Sequence, residues 1–394
     1  MKKSIFLGII ALAAVSMTSC SNDEVTLVYP QDDAIEFGTY LGRDALTRGV
    51  VLDNNNLANF GVFASYTGET DWASTDGYNF MYNQIVEKSG SDWVYSPKKY
   101  WPTNKGDKIS FFAYAPYATG AIAPYNGITV VSANDAKDAP VIKYTINADN
   151  LENQADFVAD VLMNQVKEGG STLDSGDRTV MFQLLHELTR LGFTAKLDRD
   201  AYAVGDKANQ TVVNIKSITF LPADEFCTSA DYTFATESDT PGTLKRGTWS
   251  NFTSTGALNI ANLLNIATFD FAGYTTPGIL VTDTKPVTLF KENATPVQEY
   301  LFLIPRGEAG ISADGKVKIA VAYDIVTVDP SLNAGHSVTP ATKIIEFPKG
   351  SLKQGVAYMF NLTFGLNEIK LEATVVDWDN ATIDGNVDWP KVDA

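Results

Sequence analysis

Residues 316–328 read KVKIAVAYDIVTV, and the alternation in that run decides the class of fold. Val317, Ile319, Val321, Tyr323 and Ile325 recur at period two, so an extended backbone puts all five on one face. A helix would scatter them around its circumference. The same signature spreads outward in both directions. Downstream, Thr342–Phe347, Val356–Leu366 and Glu368–Trp378 read as strands; upstream, so do Gln298–Pro305 (QEYLFLIP) and the run VVNIKSITFL that begins near Thr211. Between Thr228 and Thr284 the chain is rich in Gly, Thr and Ser and the patterns weaken.

The first half behaves the same way. Asn59 to Tyr66 alternates, with Phe60, Val62, Ala64 and Tyr66 expected on one face. Lys108 to Pro116 (KISFFAYAP) is apolar on both faces, which predicts a central strand covered on both sides. Ile128–Val131 and Val141–Ile146 are shorter runs of the same kind. Two stretches stay open on local grounds. Asn153 to Val166 fits a short helix or two strands, and Thr179 to Leu197 has helical spacing at Phe182, Leu185 and Leu188 before it alternates. GGSTLDSGD and NKGD between the runs are turn chemistry. Many strands with turns at short intervals predict an all-β fold of sandwich type, because α/β units would need long helical patterns between strands. The polar stretch Asp198 to Asn209 reads as a domain boundary.

The chain has 394 residues, enough for two ordinary domains. Its formal net charge is −17, a field that repels nucleic acid and anionic headgroups, so no nucleic-acid partner is expected. Of two cysteines, Cys227 lies in LPADEFCTSAD with nothing nearby to lower its pKa, and reads as structural. There are two histidines: His186 reads as a core or edge residue and His336 as a loop residue. No G-x-S-x-G, Walker A or G-x-G-x-x-G string occurs, so no enzyme activity and no cofactor is expected. Two histidines without H-x-x-x-H spacing argue against a transition-metal site. Asp377, Asp379, Asn380, Asp384 and Asp388 cluster, but Ala381 stands where an EF-hand loop needs an oxygen ligand.

The N-terminus is organised differently. Met1-Lys2-Lys3 and the apolar run Ile5–Val15 form a signal-type segment too short to span a bilayer stably. Ser16-Met17-Thr18-Ser19-Cys20 resembles a relaxed lipobox, with Met17 where leucine is usual. Acyl chains on Cys20 would exceed the two-signal threshold for stable anchoring. Ser21-Asn22-Asp23-Glu24 is similar to the acidic tetrad that directs some Gram-negative lipoproteins to the cell surface. Beyond it, Ile35, Phe37, Thr39 and Leu41 share one face at period two, and Leu46-Thr47-Arg48-Gly49 is loop-like. At the other end Ala381, Ile383, Gly385, Val387 and Trp389 alternate with Thr382, Asp384, Asn386 and Asp388. That run reads as a strand to offer a neighbour, as the last strand of its own domain, or as a loose tail.

Several of these fragments together resemble the fimbrillins, the subunits of type V pili, and the related fimbrillin-like lipoproteins. The resemblance rests on the lipobox ending at Cys20, on Ala34-Ile35-Glu36-Phe37 ahead of Leu46-Thr47-Arg48-Gly49, and on VYSPKKYWP (94–102). FFAYAP (111–116), the Phe182…His186…Leu191 run, YLFLIP (300–305), GVAY (355–358) and the closing strand to Trp378 complete it. It implies strand for Thr179–Leu197 and two transthyretin-like β-sandwich domains in tandem. The expected division is a signal peptide through Cys20, a propeptide 21–48, sandwiches 49–205 and 206–378, and a donor extension 379–394. The resemblance further implies a lipoprotein precursor, held in the outer membrane through Cys20, that an arginine-specific surface protease cuts between Arg48 and Gly49, with Arg43 the alternative. The placeholder strand (Ile35, Phe37, Thr39, Leu41) would then yield to the donor strand of another pilus subunit (Ala381, Ile383, Val387, Trp389). A stalk subunit of an adhesive fimbrium is the expected function; a tip or anchor adhesin that binds host protein or glycan is the alternative.

Overall fold

The computed structural model describes residues 33–41, 52, 56–118, 127–149, 151, 154–167, 179–198, 211–221, 227–238, 245–253, 256–282, 284–291, 300–306, 316–348, 352–365 and 369–376. Strands are numbered in chain order. The first sheet has seven, in the order β1 (Glu36–Leu41), β9 (Thr179–His186), β8 (Val158–Gln165), β5 (Lys108–Ala115), β2 (Asn59–Gly68), β3 (Met81–Ser89), β4 (Asp92–Val94). The KISFFAYA run is its fourth and middle strand. Ile109, Phe111, Ala113 and Ala115 enter one core with Phe60, Val62 and Phe182, while Phe112 and Tyr114 enter another from the opposite face. Burial on both faces is why that run carries no polar alternation.

A four-stranded sheet, β13 (Thr248–Thr253), β12 (Ser229–Thr233), β7 (Val141–Thr145), β6 (Ile128–Val130), contributes Tyr144 and Tyr232 to the same core as Phe112 and Tyr114. Two further sheets complete the fold. One runs β16 (Val287–Thr288), β10 (Thr189–Leu197), β20 (Ala357–Phe364), β21 (Ile369–Val376), with β17 (Leu301–Leu303) also on β10. The other runs β14 (Leu258–Asn259), β11 (Thr211–Phe220), β18 (Lys316–Val328), β19 (His336–Pro348), with β15 (Ile279–Val281) also on β11. The only helical element named among the described residues is a 3-10 turn at Ala261–Leu263. The chain is all-β, as its periodicity predicts. No helix among the described residues is long and apolar enough to cross a membrane.

The opening stretch, now β18, buries Val317, Ile319, Val321 and Tyr323 on one face, with Ile325 packed partly against them. The ambiguous Thr179–Leu197 run is two strands, β9 and β10, that enter different sheets, and Asn153–Val166 holds a single strand, β8. Local detail departs from the simple pattern at Tyr66 and in β19. Tyr66 keeps the face of Phe60, Val62 and Ala64, opposite Ile109 of β5, but near the end of the strand its ring is 38% exposed and its hydroxyl donates to Asp107. His336 opens β19 rather than lying in a loop. That strand starts six residues before the expected Thr342 because Pro340, which breaks a central strand, is tolerated at an edge where no N–H is needed. Strand pairing also joins residues on either side of position 205, since β10 pairs with β20 and β7 with β12.

Candidate strand-acceptor site

β1 is the edge strand of the first sheet. It runs parallel to β9 with Phe37 opposite Val180, Gly38 opposite Met181 and Leu41 opposite Leu184. Along Glu36–Leu41 this is its one ladder among the described residues. Just before the strand, the other edge of the sheet reaches round to meet it. Ile35 N donates to Lys99 O at 2.9 Å, Trp101 N donates to Asp33 O at 2.9 Å, and Ala34 bridges Tyr100. The Asp33 carboxylate also lies 2.8 Å from Lys167 Nζ.

The side chains follow the expected alternation. Ile35, Phe37 and Leu41 are buried and Thr39 is half-buried, while Glu36 and Tyr40 face solvent. Phe37 is the hub of this core. Its ring stacks on Phe182 at 5.9 Å, meets Phe60 and Phe111 edge-on at 6.1 and 6.0 Å, and leans on Tyr95 at 5.2 Å. Aromatic pairs at such spacing add to simple area burial.

Tyr95 is the polar latch of the seat. Its hydroxyl donates to Ile35 O at 2.9 Å and accepts from Lys99 N at 3.2 Å. Burial pushes the phenol up to about 12, so it stays a donor throughout the neutral range. Lys98 Nζ sits 4.6 Å from the Tyr95 ring centroid and Lys99 Nζ 5.3 Å from that of Phe80. The Lys98–Trp101 cluster therefore forms the rim of the β1 seat, with Trp101 buried in its core.

The opposite wall depends on β1. β9 pairs with β8 at only two positions, Val158 with His186 and Ala159 with Leu185. Beyond them Asp160 replaces the ladder: Oδ2 accepts from Gln183 N at 2.7 Å and Oδ1 from Val161 N at 2.7 Å. Between Thr179 and Leu184, then, β9 is backed by one carboxylate on one side and by the whole of β1 on the other. Sequence reading named the four strand residues but not Asp160, Tyr95 as a latch, or Met181. Their partners lie far away in the chain, and no local pattern announces them.

Below the seat, Asp156 Oδ2 accepts from Leu52 N at 3.1 Å and lies 2.8 Å from His186 Nδ1. Leu52 is buried, so the chain is fixed again eleven residues after Leu41. His186 is thus a buried structural residue, hydrogen-bonded and closed to solvent. Cys227 is also buried, and burial pushes its thiol up to about 12. Among the described residues no group of three or more His, Cys, Asp and Glu side chains is arranged to hold a metal. Cys20, Arg43, Arg48, Gly49 and the tail residues Ala381, Ile383, Val387 and Trp389 lie outside the described residues, as does the Asp377–Asp388 cluster.

The described residues thus form an all-β fold with a buried edge strand near its N-terminal end. Residues 47–378 match the fimbrillin-like family, and the chain belongs to it. Membership places the protein among fimbrial structural and adhesion proteins of the cell surface, not among enzymes. Fimbrium subunit Fim1C of Phocaeicola vulgatus is 28% identical to it over 96% of this chain and 98% of that one. A fimbrial protein of known crystal structure from Bacteroides vulgatus shares the fold, with a TM-score of 0.69 at 24% identity, over 88% of this chain and 99% of that one.

Proposed function

We propose that this chain is a polymerising stalk subunit of a type V pilus, exported as a lipoprotein on Cys20, cut after Arg48 and assembled by strand exchange. One observation carries the reading. β1 and the residue before it bury Phe37, Leu41 and Ile35 in the core of the first sheet, yet among the described residues only β9 holds the strand by a ladder. Apolar burial of those three side chains contributes about 1.5–3 kcal/mol each. Backbone pairing and period-two pockets are properties that another extended segment can supply.

In this reading residues 1–20 are the signal segment, 21–48 the removable propeptide, and 379–394 the donor extension. The two sandwich units between them, 49–205 and 206–378, pair across their division through β10 and β12. Loss of β1 uncovers Phe60, Phe111, Phe182 and Tyr95 and leaves one side of β9 unpaired, an edge that invites strand addition. A neighbour's tail brings Ile383, Val387 and Trp389 on one face at the same period, with Ala381 and Gly385 between them. The partners are therefore other pilus subunits, an arginine-specific surface protease and, before cleavage, the outer-membrane lipid.

The test is assembly in cells. Arg48→Ala is expected to leave a folded precursor that forms no fibre, and removal of Asn380–Ala394 to give folded monomers that cannot extend one. Normal polymer ladders from either variant would refute the assignment. A mature surface protein that keeps lipid on Cys20 and binds ligand as a monomer would instead make it a tip or anchor adhesin.

A further inference from the structure

Among the described residues only two strand pairs are parallel, β1 with β9 and β10 with β20. Each contains a glycine facing a methionine: Gly38 opposite Met181 in the first, Gly192 opposite Met359 in the second. In both, the methionine lies across the glycine. A Cβ on Gly38 would fall 2.9 Å from Met181 Cε and closer still to its Sδ; one on Gly192 would fall 2.8 Å from Met359 Cε and 2.9 Å from its Sδ. In both, a phenylalanine follows the methionine and points into the core, Phe182 in one and Phe360 in the other. The arrangement thus occurs once in a seat that the chain fills permanently and once in the seat of β1.

The pair solves a problem that the apolar pattern leaves open. Sliding β1 by one residue would turn its apolar side chains outward, but sliding it by two would keep them inward. A two-residue shift brings Glu36 or Tyr40 opposite Met181 in place of the single glycine of the strand. Met181 could not then lie flat. It is 40% exposed, so it can swing away, at the cost of its packing on the strand.

We infer that Met181 is a specificity-determining residue of the β1 seat: it closes over a strand that offers glycine at position 38, fixes the register there, and discriminates against occupants without that glycine. The inference rests on the strand-exchange reading for its role in assembly, though not for the contact itself. Its consequence concerns the replacement strand. With Ala381, Ile383, Gly385, Val387 and Trp389 turned inward, the outward positions are Thr382, Asp384, Asn386 and Asp388. None is glycine. Met181 therefore favours the resident β1 over an incoming tail, and helps to keep the seat filled until the leader is cut loose.

Two measurements on the full-length chain test this. The first is hydrogen exchange at the amides of 36–41 in the uncut protein, for wild type, Gly38→Val, Met181→Ala and the double variant, with Gly38→Ala as the milder replacement. Gly38→Val is expected to speed exchange by a few-fold, because Met181 must give up its packing on the strand, and by much less once Met181 is alanine, because the two residues are coupled. An equal acceleration in both backgrounds overturns the inference. The second follows release of the leader after an arginine-specific cut, with synthetic peptides of residues 380–390 or 33–41 as challengers. Met181→Ala is expected to raise displacement by the tail peptide several-fold more than displacement by the leader peptide. Equal effects on both peptides overturn the discrimination. A tail peptide that displaces nothing in any variant overturns the strand-exchange reading, and the exchange cycle still decides Met181.

Discussion

β1 and β10 occupy comparable seats and are held differently. Each lies parallel to a strand far along the chain, with a glycine under a methionine and apolar residues turned into a core. β10, however, carries eight consecutive pairs with β20 and is closed on its other side by β16 and β17. β1 carries six pairs with β9 and one bridge at its start. Removing β10 would open ladders on both sides. Removing β1 opens one among the described residues. A strand whose side chains are deep in a core can still be detachable if its backbone is committed along a single edge.

Hollowing both seats should separate the two strands most strongly. Phe37→Ala and Phe193→Ala each remove a buried ring and should cost about 3–5 kcal/mol where the site cannot collapse. Phe193→Ala is expected to lower global stability in denaturant unfolding. Phe37→Ala should instead appear mainly as local exchange at residues 36–41 and 179–184, with the rest of the fold intact. Equal global losses would mean that β1 is as integral as β10.

Asp160→Ala sharpens the dependence of β9 on its neighbour. It leaves the N–H groups of Gln183 and Val161 without their acceptor, at a cost of about 1–3 kcal/mol. Exchange at Gln183 should rise, and should rise further in a chain from which β1 has been displaced. No change at Gln183 would show that β8 supports β9 without help.

Tyr95→Phe should produce a smaller loss, about 0.5–1.5 kcal/mol, by removing the latch on Ile35 O. The phenol also sets a pH window. Its folded value, about 12, lies above the ordinary 10, so its contribution is complete below pH 10 and is lost as pH rises toward 12. Tyr95→Phe should shrink the stability lost over that window. An unchanged alkaline profile would show that Tyr95 does not latch β1.

What the chain reveals in advance follows from how local the causes are. β18 and β5 are legible because period-two alternation, or two-sided apolarity, is written within a few residues. The inward face of the leader strand, Ile35, Phe37, Thr39 and Leu41, is legible for the same reason. The first half of β19 is not, because Gly335 and Pro340 speak for a turn until its pairing with β18 makes it an edge. Thr179–Leu197 looks helical at Phe182, Leu185 and Leu188 because β9 buries Leu184, Leu185 and His186 in succession, breaking the alternation at the point where the chain leaves one sheet for another. Tyr95 to Ile35, Asp160 to Gln183 and Gly38 to Met181 are contacts across tens of residues or more, and only the fold brings them together.

In the strand-exchange reading β1 is a temporary occupant. Mass spectrometry of protein sheared from the cell surface as fibre tests it most directly. Strand exchange predicts subunits that begin at Gly49 and yield no peptide from residues 33–41. Fibres whose subunits retain 33–41 would contradict it.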